Sequence, residues 1–204
     1  MDLFFFYCFP GFSNCYVLGS GGGESPEAVI VDPGSMEDKL LECIENNSYN
    51  VRAVLVTHEH KRHIYGLRTL SRIYDTEVFA INGTIGDCRA TQVKDGERLT
   101  VGAFNVEVIA IPGHSPDSVV YRIDNLLFTG DALTAGLVGS TASAYGAATQ
   151  MSMLRNRLLS LPGDYTVLPG HGPPSSLEAE RNFNVGILMH KDIHSRRPAF
   201  SVGI

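Results

Sequence analysis

Five histidines and one aspartate follow apolar runs along this chain and have the residue types of a metal site. Val54-Leu55-Val56-Thr57 runs into His58-Glu59-His60-Lys61-Arg62-His63. Val108-Ile109-Ala110-Ile111-Pro112-Gly113 runs into His114, Leu126-Leu127-Phe128-Thr129-Gly130 into Asp131, and Thr166-Val167-Leu168-Pro169-Gly170 into His171. Four times a run typical of a buried strand ends on a side chain that binds metals as imidazole or carboxylate. Glycine stands before three of these ligands, at 113, 130 and 170, where it permits close backbone approach. His58 and His60, two apart, can point to one side of an extended segment, and His63 can reach back from the start of the next helix. Imidazole suits zinc and iron, and a carboxylate can bridge two ions. The bland alternative is five unrelated histidines, each satisfied by local hydrogen bonds; repetition at strand ends beside an aspartate favours the metal. His190 and His194 lack that context and read as surface residues.

The elements that must position these groups are mixed. Leu3 to Phe9 reads as a first strand, too short to span a bilayer and preceded by Asp2 rather than a basic segment. The glycine-rich Gly19 to Gly23 reads as a hairpin loop between Asn14–Leu18 and Ala28–Val31. Ser35 is the expected cap of a helix whose apolar face is Leu40, Leu41 and Ile44. A strand is expected at Arg52–Thr57, a helix from Ile64 to Tyr74 and a strand at Val78–Ile81. Strands at Leu99–Val101, Phe104–Ile111, Ser118–Ile123 and Leu126–Thr129 follow, the last two joined by a two-residue Asp124-Asn125 turn. Gln150 to Leu161 reads as a helix stopped by Pro162-Gly163. Tyr165–Leu168 reads as a strand, and Ser175 or Ser176 as the cap of a last helix reaching about His190. Hairpins exclude a purely parallel fold; two mixed sheets with helices outside fit the pattern.

Composition narrows the function. The chain has 204 residues, 44% hydrophobic and 19% charged, which suits a single folded domain over residues 1–204 and excludes a disordered chain. The net charge of −6 disfavours a nucleic-acid partner, and His194-Ser195-Arg196-Arg197 is too short a basic patch to alter that. Cys8, Cys15, Cys43 and Cys88 form no Cys-x-x-Cys pair and read as ordinary thiols of a cytoplasmic protein.

Taken together, Thr57-His58-Glu59-His60-Lys61-Arg62-His63 resembles the T-H-x-H-x-D-H signature of the metallo-β-lactamase-fold superfamily, most closely its glyoxalase II-like hydrolases. Asn14-Cys15-Tyr16-Val17-Leu18, Val31-Asp32-Pro33-Gly34, Pro112-Gly113-His114-Ser115-Pro116-Asp117-Ser118, Phe128-Thr129-Gly130-Asp131 and Pro169-Gly170-His171-Gly172-Pro173 extend the resemblance in the right order. Glu180-Arg181-Asn182-Phe183-Asn184 is similar to the family's closing helix. The resemblance implies an α/β (α+β) fold, a four-layer αββα sandwich. It implies a first metal on His58, His60 and His114, and a second on His63 and His171, with Asp131 bridging. It implies one or two zinc ions, with iron or manganese also compatible, and a metal-bound hydroxide attacking a small ester, thioester or lactone.

Two departures bear on function. Arg62 stands where the family has an aspartate that binds the second metal and orients water. An arginine stays protonated and cannot be a ligand. Pointing inward, it would repel a second cation by several kcal/mol at about 5 Å. It can swing outward, stand in for the second metal and bind an anionic substrate, or mark a chain that kept the fold without hydrolysis. After His171, 33 residues remain, fewer than the glutathione-binding region of glyoxalase II needs, so that thioester is not implied. Tyr145, in a small-residue stretch from Gly139 to Ala148, reads as a loop residue over the site that either donates to an oxyanion or simply packs. Asp131, Arg62 and Tyr145 are thus the candidate catalytic residues; Lys61 reads as solvated. The expected partner is a small-molecule substrate, with no nucleic acid and no membrane. The competing readings are a non-haem diiron redox or oxygen-binding protein and a non-catalytic member of the fold.

Overall fold

The computed structural model describes residues 1–9 and 11–189. The chain runs β1 (Asp2–Cys8), β2 (Ser13–Gly19), β3 (Glu27–Val31), α1 (Asp38–Asn46), β4 (Asn50–Leu55), α2 (Lys61–Ile64), α3 (Leu67–Ile73) and β5 (Glu77–Ala80). A ribbon of β6 (Thr84–Ile85) and β7 (Cys88–Arg89) precedes β8 (Thr91–Gln92). A meander follows of β9 (Arg98–Val101), β10 (Phe104–Ala110), β11 (Val119–Ile123) and β12 (Leu126–Gly130). A second ribbon, β13 (Leu133–Thr134) and β14 (Leu137–Val138), leads to α4 (Ala144–Met153), which runs on into a π-helical turn over Leu154–Leu158. The last elements are β15 (Thr166–Pro169), β16 (Ser175–Ser176) and α5 (Leu177–Phe183).

Two six-stranded sheets, ordered β1-β2-β3-β4-β5-β8 and β16-β15-β12-β11-β10-β9, pack face to face. Tyr16, Leu18, Val29, Val31 and Leu55 meet Val106, Val108, Tyr121, Phe128 and Leu168 between them. Side chains alternate across each strand, so the other faces are also apolar. Val17, Ile30, Val54 and Val56 pack with Leu40, Ile44, Leu67 and Leu70 of the helices on one side; Ile109, Val120, Leu127 and Val167 pack with Met151, Leu154, Leu158 and Leu177 on the other. This is a four-layer αββα sandwich.

The topology sends the chemical residues to one edge. β12 is parallel to β15, and β10 and β12 are both antiparallel to β11, so β10, β12 and β15 point the same way. Their carboxyl ends release His114, Asp131 and His171 together. β4 delivers His58 from the other sheet, and the Val119 amide donates to the Thr57 carbonyl at 2.9 Å, joining the two edges.

Several boundaries differ from the sequence expectations. Helix α1 begins at Asp38 with Glu37 as its cap; Ser35 instead donates to the Glu37 carboxylate at 3.0 Å. The expected Ile64–Tyr74 helix starts at Lys61 and is interrupted at Gly66, whose amide goes to the Pro33 carbonyl. Ile73 consequently leaves the apolar face and is 52% exposed. Helix α4 starts at Ala144, six residues before the expected start, capped by Ser143, which accepts from the Gly146 amide. The 144–148 part of the expected loop is therefore helix. Ser176 caps α5, accepting from the Ala179 amide, but Asn184 interrupts the helical backbone, which resumes over 185–189. His190, His194 and the basic tail lie outside the described residues. The four cysteines are free. No described helix is long and apolar enough to cross a membrane.

Phe128 is fully buried between the sheets, its ring 5.5 Å from that of Tyr16. Phe128→Ala should cost about 3–5 kcal/mol of unfolding free energy, measured by urea denaturation. A loss below about 1 kcal/mol would mean that the inter-sheet core does not carry the stability.

Candidate metal centre

The six expected ligands converge on one point. Asp131 Oδ2 lies 3.5 Å from His114 Nε2, 3.5 Å from His171 Nε2 and 3.8 Å from His58 Nε2, and Asp131 Oδ1 lies 3.5 Å from His63 Nε2. His60 presents Nδ1, 3.0 Å from both His58 Nε2 and His114 Nε2. The atoms fall into two overlapping sets, His58-His60-His114-Asp131 and His63-Asp131-His171, with Asp131 common to both.

Hydrogen bonds on the far sides of the rings decide which nitrogens are bare. His114 Nδ1 lies 2.7 Å from the Ser140 carbonyl and His171 Nδ1 lies 2.7 Å from the Phe12 carbonyl. A carbonyl only accepts, so both Nδ1 atoms carry the proton and both Nε2 atoms present lone pairs. His63 Nδ1 lies 3.0 Å from Asp32 Oδ2. His58 Nδ1 lies 3.1 Å from Thr57 Oγ1, whose own proton goes to Asp32 Oδ2 at 2.6 Å, so His58 is again the donor. This backing fixes tautomer and ring orientation as metal ligation requires.

The donor set fits a metal. His63 Nε2 and Asp131 Oδ1 are buried without a hydrogen-bond partner, an expensive arrangement unless something else binds them. A side chain at Gly170 would fill the space: its Cβ would fall 2.5 Å from His63 Cε1 and 2.6 Å from Asp131 Oδ1. At Gly113 the backbone φ of 146° and a Cβ only 2.3 Å from that of Gln150 exclude a side chain where the chain turns into His114.

The protonation states follow the surroundings. Burial, then the charge of His63, pushes His58 down to about 3. Burial and His114 lower His60. Burial also works against a charge on His63, but Asp131 and Asp32 prevail and raise it to about 10. Burial opposes ionisation of Asp131, yet His63, His171 and His58 hold it below the usual carboxylate range. In the absence of an ion, His63 therefore holds a proton between the two carboxylates.

Arg62 and Tyr145 are not part of this convergence. Arg62 is exposed on α2, and none of its described contacts reaches a ligand side chain. Tyr145 is 82% exposed in the first turn of α4, with no described hydrogen bond from its hydroxyl. Asp32 was missed as a working residue. It is 2% exposed and accepts from the Thr57 amide, the Thr57 hydroxyl and His63, so it orients a ligand of each set. The available signal was its place in Val31-Asp32-Pro33-Gly34, directly after an apolar run.

Comparison with known proteins agrees with this geometry. The family model described as Metallo-beta-lactamase superfamily matches residues 8–171. The probable metallo-hydrolase YqgX of Bacillus subtilis is 31% identical, covering 84% of this chain and 90% of its own length. Hydroxyacylglutathione hydrolase GloC of Haemophilus influenzae is 26% identical, covering 84% and 91%. The crystal structure of ETHE1 from Myxococcus xanthus is 26% identical with a TM-score of 0.81, covering 98% of this chain and 93% of that one.

Asp32→Asn should weaken metal affinity about 10- to 100-fold with the circular-dichroism spectrum retained, read by competition with a chromophoric chelator. An unchanged affinity would leave Asp32 a purely structural residue. Metal uptake at pH 7–8 should release the proton on His63, and affinity should climb with pH towards about 10. Zinc titration in weak buffer checks this; uptake without proton release would contradict it.

Proposed function

The chain belongs to the metallo-beta-lactamase superfamily, and from that premise we propose that it is a metal-dependent hydrolase of a small ester, thioester or lactone. The observation that carries this reading is the set of Nε2 atoms of His58, His63, His114 and His171, each opposite a hydrogen bond on the far side of its ring and each within 3.8 Å of an Asp131 oxygen. His58, His60 and His114 would hold a first ion, and His63 and His171 a second, with Asp131 between them. Zinc is the ion we favour; iron and manganese are compatible with the same donors. When bound, the metal supplies a water acidified to a pKa near 7 and a Lewis acid for the substrate carbonyl. Asp131, held ionised by its imidazole neighbours, places a carboxylate where the two ligand sets meet. No serine or cysteine nucleophile is needed. The name of the Haemophilus relative makes a thioester the first class to try.

The two ion sites are unequal. The first has three imidazoles and a share of Asp131; the second has two imidazoles and that same share. At the position where the resemblance has a further carboxylate, this chain has the exposed Arg62. The second ion is accordingly the weaker.

Protein purified without chelator or added metal should contain one to two zinc per chain by elemental analysis. His114→Ala should lose the first ion and thioesterase turnover together, and Arg62→Asp should bring the content closer to two. Turnover that survives His114→Ala would place the chemistry elsewhere. Two iron per chain, with a visible band that responds to oxygen, would replace hydrolysis by the redox reading.

A further inference from the structure

We propose that β1 is the contact between two copies of this chain. Its free edge pairs antiparallel with the same strand of a second copy about a two-fold axis at Phe5, continuing one six-stranded sheet into the other. The inference stands apart from the hydrolase reading.

The edges of the two sheets are unlike one another. β8 (Thr91–Gln92) and β16 (Ser175–Ser176) have two residues each, and β9 has four and opens with Arg98. Short or charged edges of that kind resist pairing with another chain. β1 has seven residues, of which only Asp2 at its start is charged. Among the described residues its one strand partner is β2. Alternate amides and carbonyls along the other side of β1 are therefore left for a further strand.

There is room for that strand. Phe5, Phe6, Tyr7 and Phe9 line a groove of about 720 Å³ together with Glu37, Asp38 and Lys39 at the start of α1. Successive strand residues point to opposite faces, so a wall containing Phe5, Phe6 and Tyr7 borders the edge of the strand and not one of its faces. Leu3, Phe5, Tyr7 and Phe9 are 40%, 47%, 44% and 59% exposed. Side chains of this size at that exposure offer on the order of 400 Å² per copy. The main-chain edge and the groove walls bring the contact towards the roughly 800 Å² per partner of a standard interface.

The sequence of the strand selects a second copy as the occupant. Leu3-Phe4-Phe5-Phe6-Tyr7 is apolar read in either direction. Antiparallel pairing about Phe5 sets Leu3 opposite the partner's Tyr7, Phe4 opposite the partner's Phe6 and Asp2 opposite the partner's Cys8. Exposed face then continues exposed face, and Phe4 and Phe6, which pack on the helix side, stay on that side. The contact is the same patch on both copies, so it closes at two and leaves no free β1 edge to propagate a fibre. Charge agrees with this register, which brings Asp2 to the start of the partner's α1. There Glu37 already accepts from the Phe9 amide and the Ser35 hydroxyl, and Asp38 lies in the first helical turn, where the helix dipole favours a carboxylate. Lys39 has no ion pair among the described residues and is the opposite charge open to Asp2.

Sedimentation velocity of the zinc-loaded chain at about 50 µM should show a dimer, since an interface of this size reaches micromolar Kd or better. Phe5→Lys sets two ammonium groups against each other at the axis. It should raise Kd at least about tenfold while the circular-dichroism spectrum and metal content stay as they were. Phe5→Cys should give a disulfide-linked dimer with diamide on a non-reducing gel, and Tyr7→Cys, which faces Leu3, should not; this pair decides the matter if Phe5→Lys fails to fold. A monomeric wild-type chain, or a dimer that Phe5→Lys leaves intact, would overturn the proposal. Cross-linking of Tyr7→Cys in place of Phe5→Cys would equally overturn the two-fold at Phe5.

Discussion

One buried carboxylate organises the metal centre. Asp32 leaves β3 with a φ of 50°, a conformation aspartate tolerates better than most residues. That turn aims its side chain across β4. One oxygen accepts the Thr57 amide, and the other accepts both the Thr57 hydroxyl and His63 Nδ1. Thr57 has then spent its proton and can only accept from His58. A single residue thus fixes the ring and tautomer of a ligand in each set. Hydrogen bonds to a buried charge are worth about 1.5–3 kcal/mol each, more than a neutral partner would provide.

The sandwich supplies what Asp32 cannot. Each strand end that carries a ligand is short of space, because the two sheets and their ligands meet at one edge. Gly170 lies against both His63 and Asp131, and its amide donates to the Gly130 carbonyl while its own carbonyl accepts from the Asn14 amide. The neighbouring strand ends are thereby bonded to each other within a residue of two ligands. Precision at the centre comes from backbone pairing between parallel strand ends and from imidazoles held on both sides. His60 and His171 are the ligands closest to solvent.

Much of this was legible in the sequence because strand ends and ligand types are local signals. Apolar runs stopping at His58, His114, Asp131 and His171 mark both the strands and the chemistry. What was not legible depended on contacts distant in sequence. Gly66 looks like an interior helix residue until Pro33, 33 positions earlier, takes its amide. The start of α4 carries Ala144, Gly146, Ala147 and Ala148, which have no apolar period to read, and only the Ser143 cap announces it. Asp32 sat in a stretch that matched the family resemblance, yet its partners lie 25 and 31 residues away. Its function emerges only when β3 and β4 pair in parallel.

The surroundings of Arg62 show how the fold separates backbone from side chain. The arginine carbonyl is clamped by Ser13, and its main chain is packed against Gly11 and Gly34. Those contacts reach no farther than its Cβ and ask nothing of the charged end of the side chain. The first set keeps three imidazoles and Asp131 whatever stands at 62. The two sets share Asp131 and differ in their imidazoles, three in one and two in the other, and that inequality is built into the strand ends that release them.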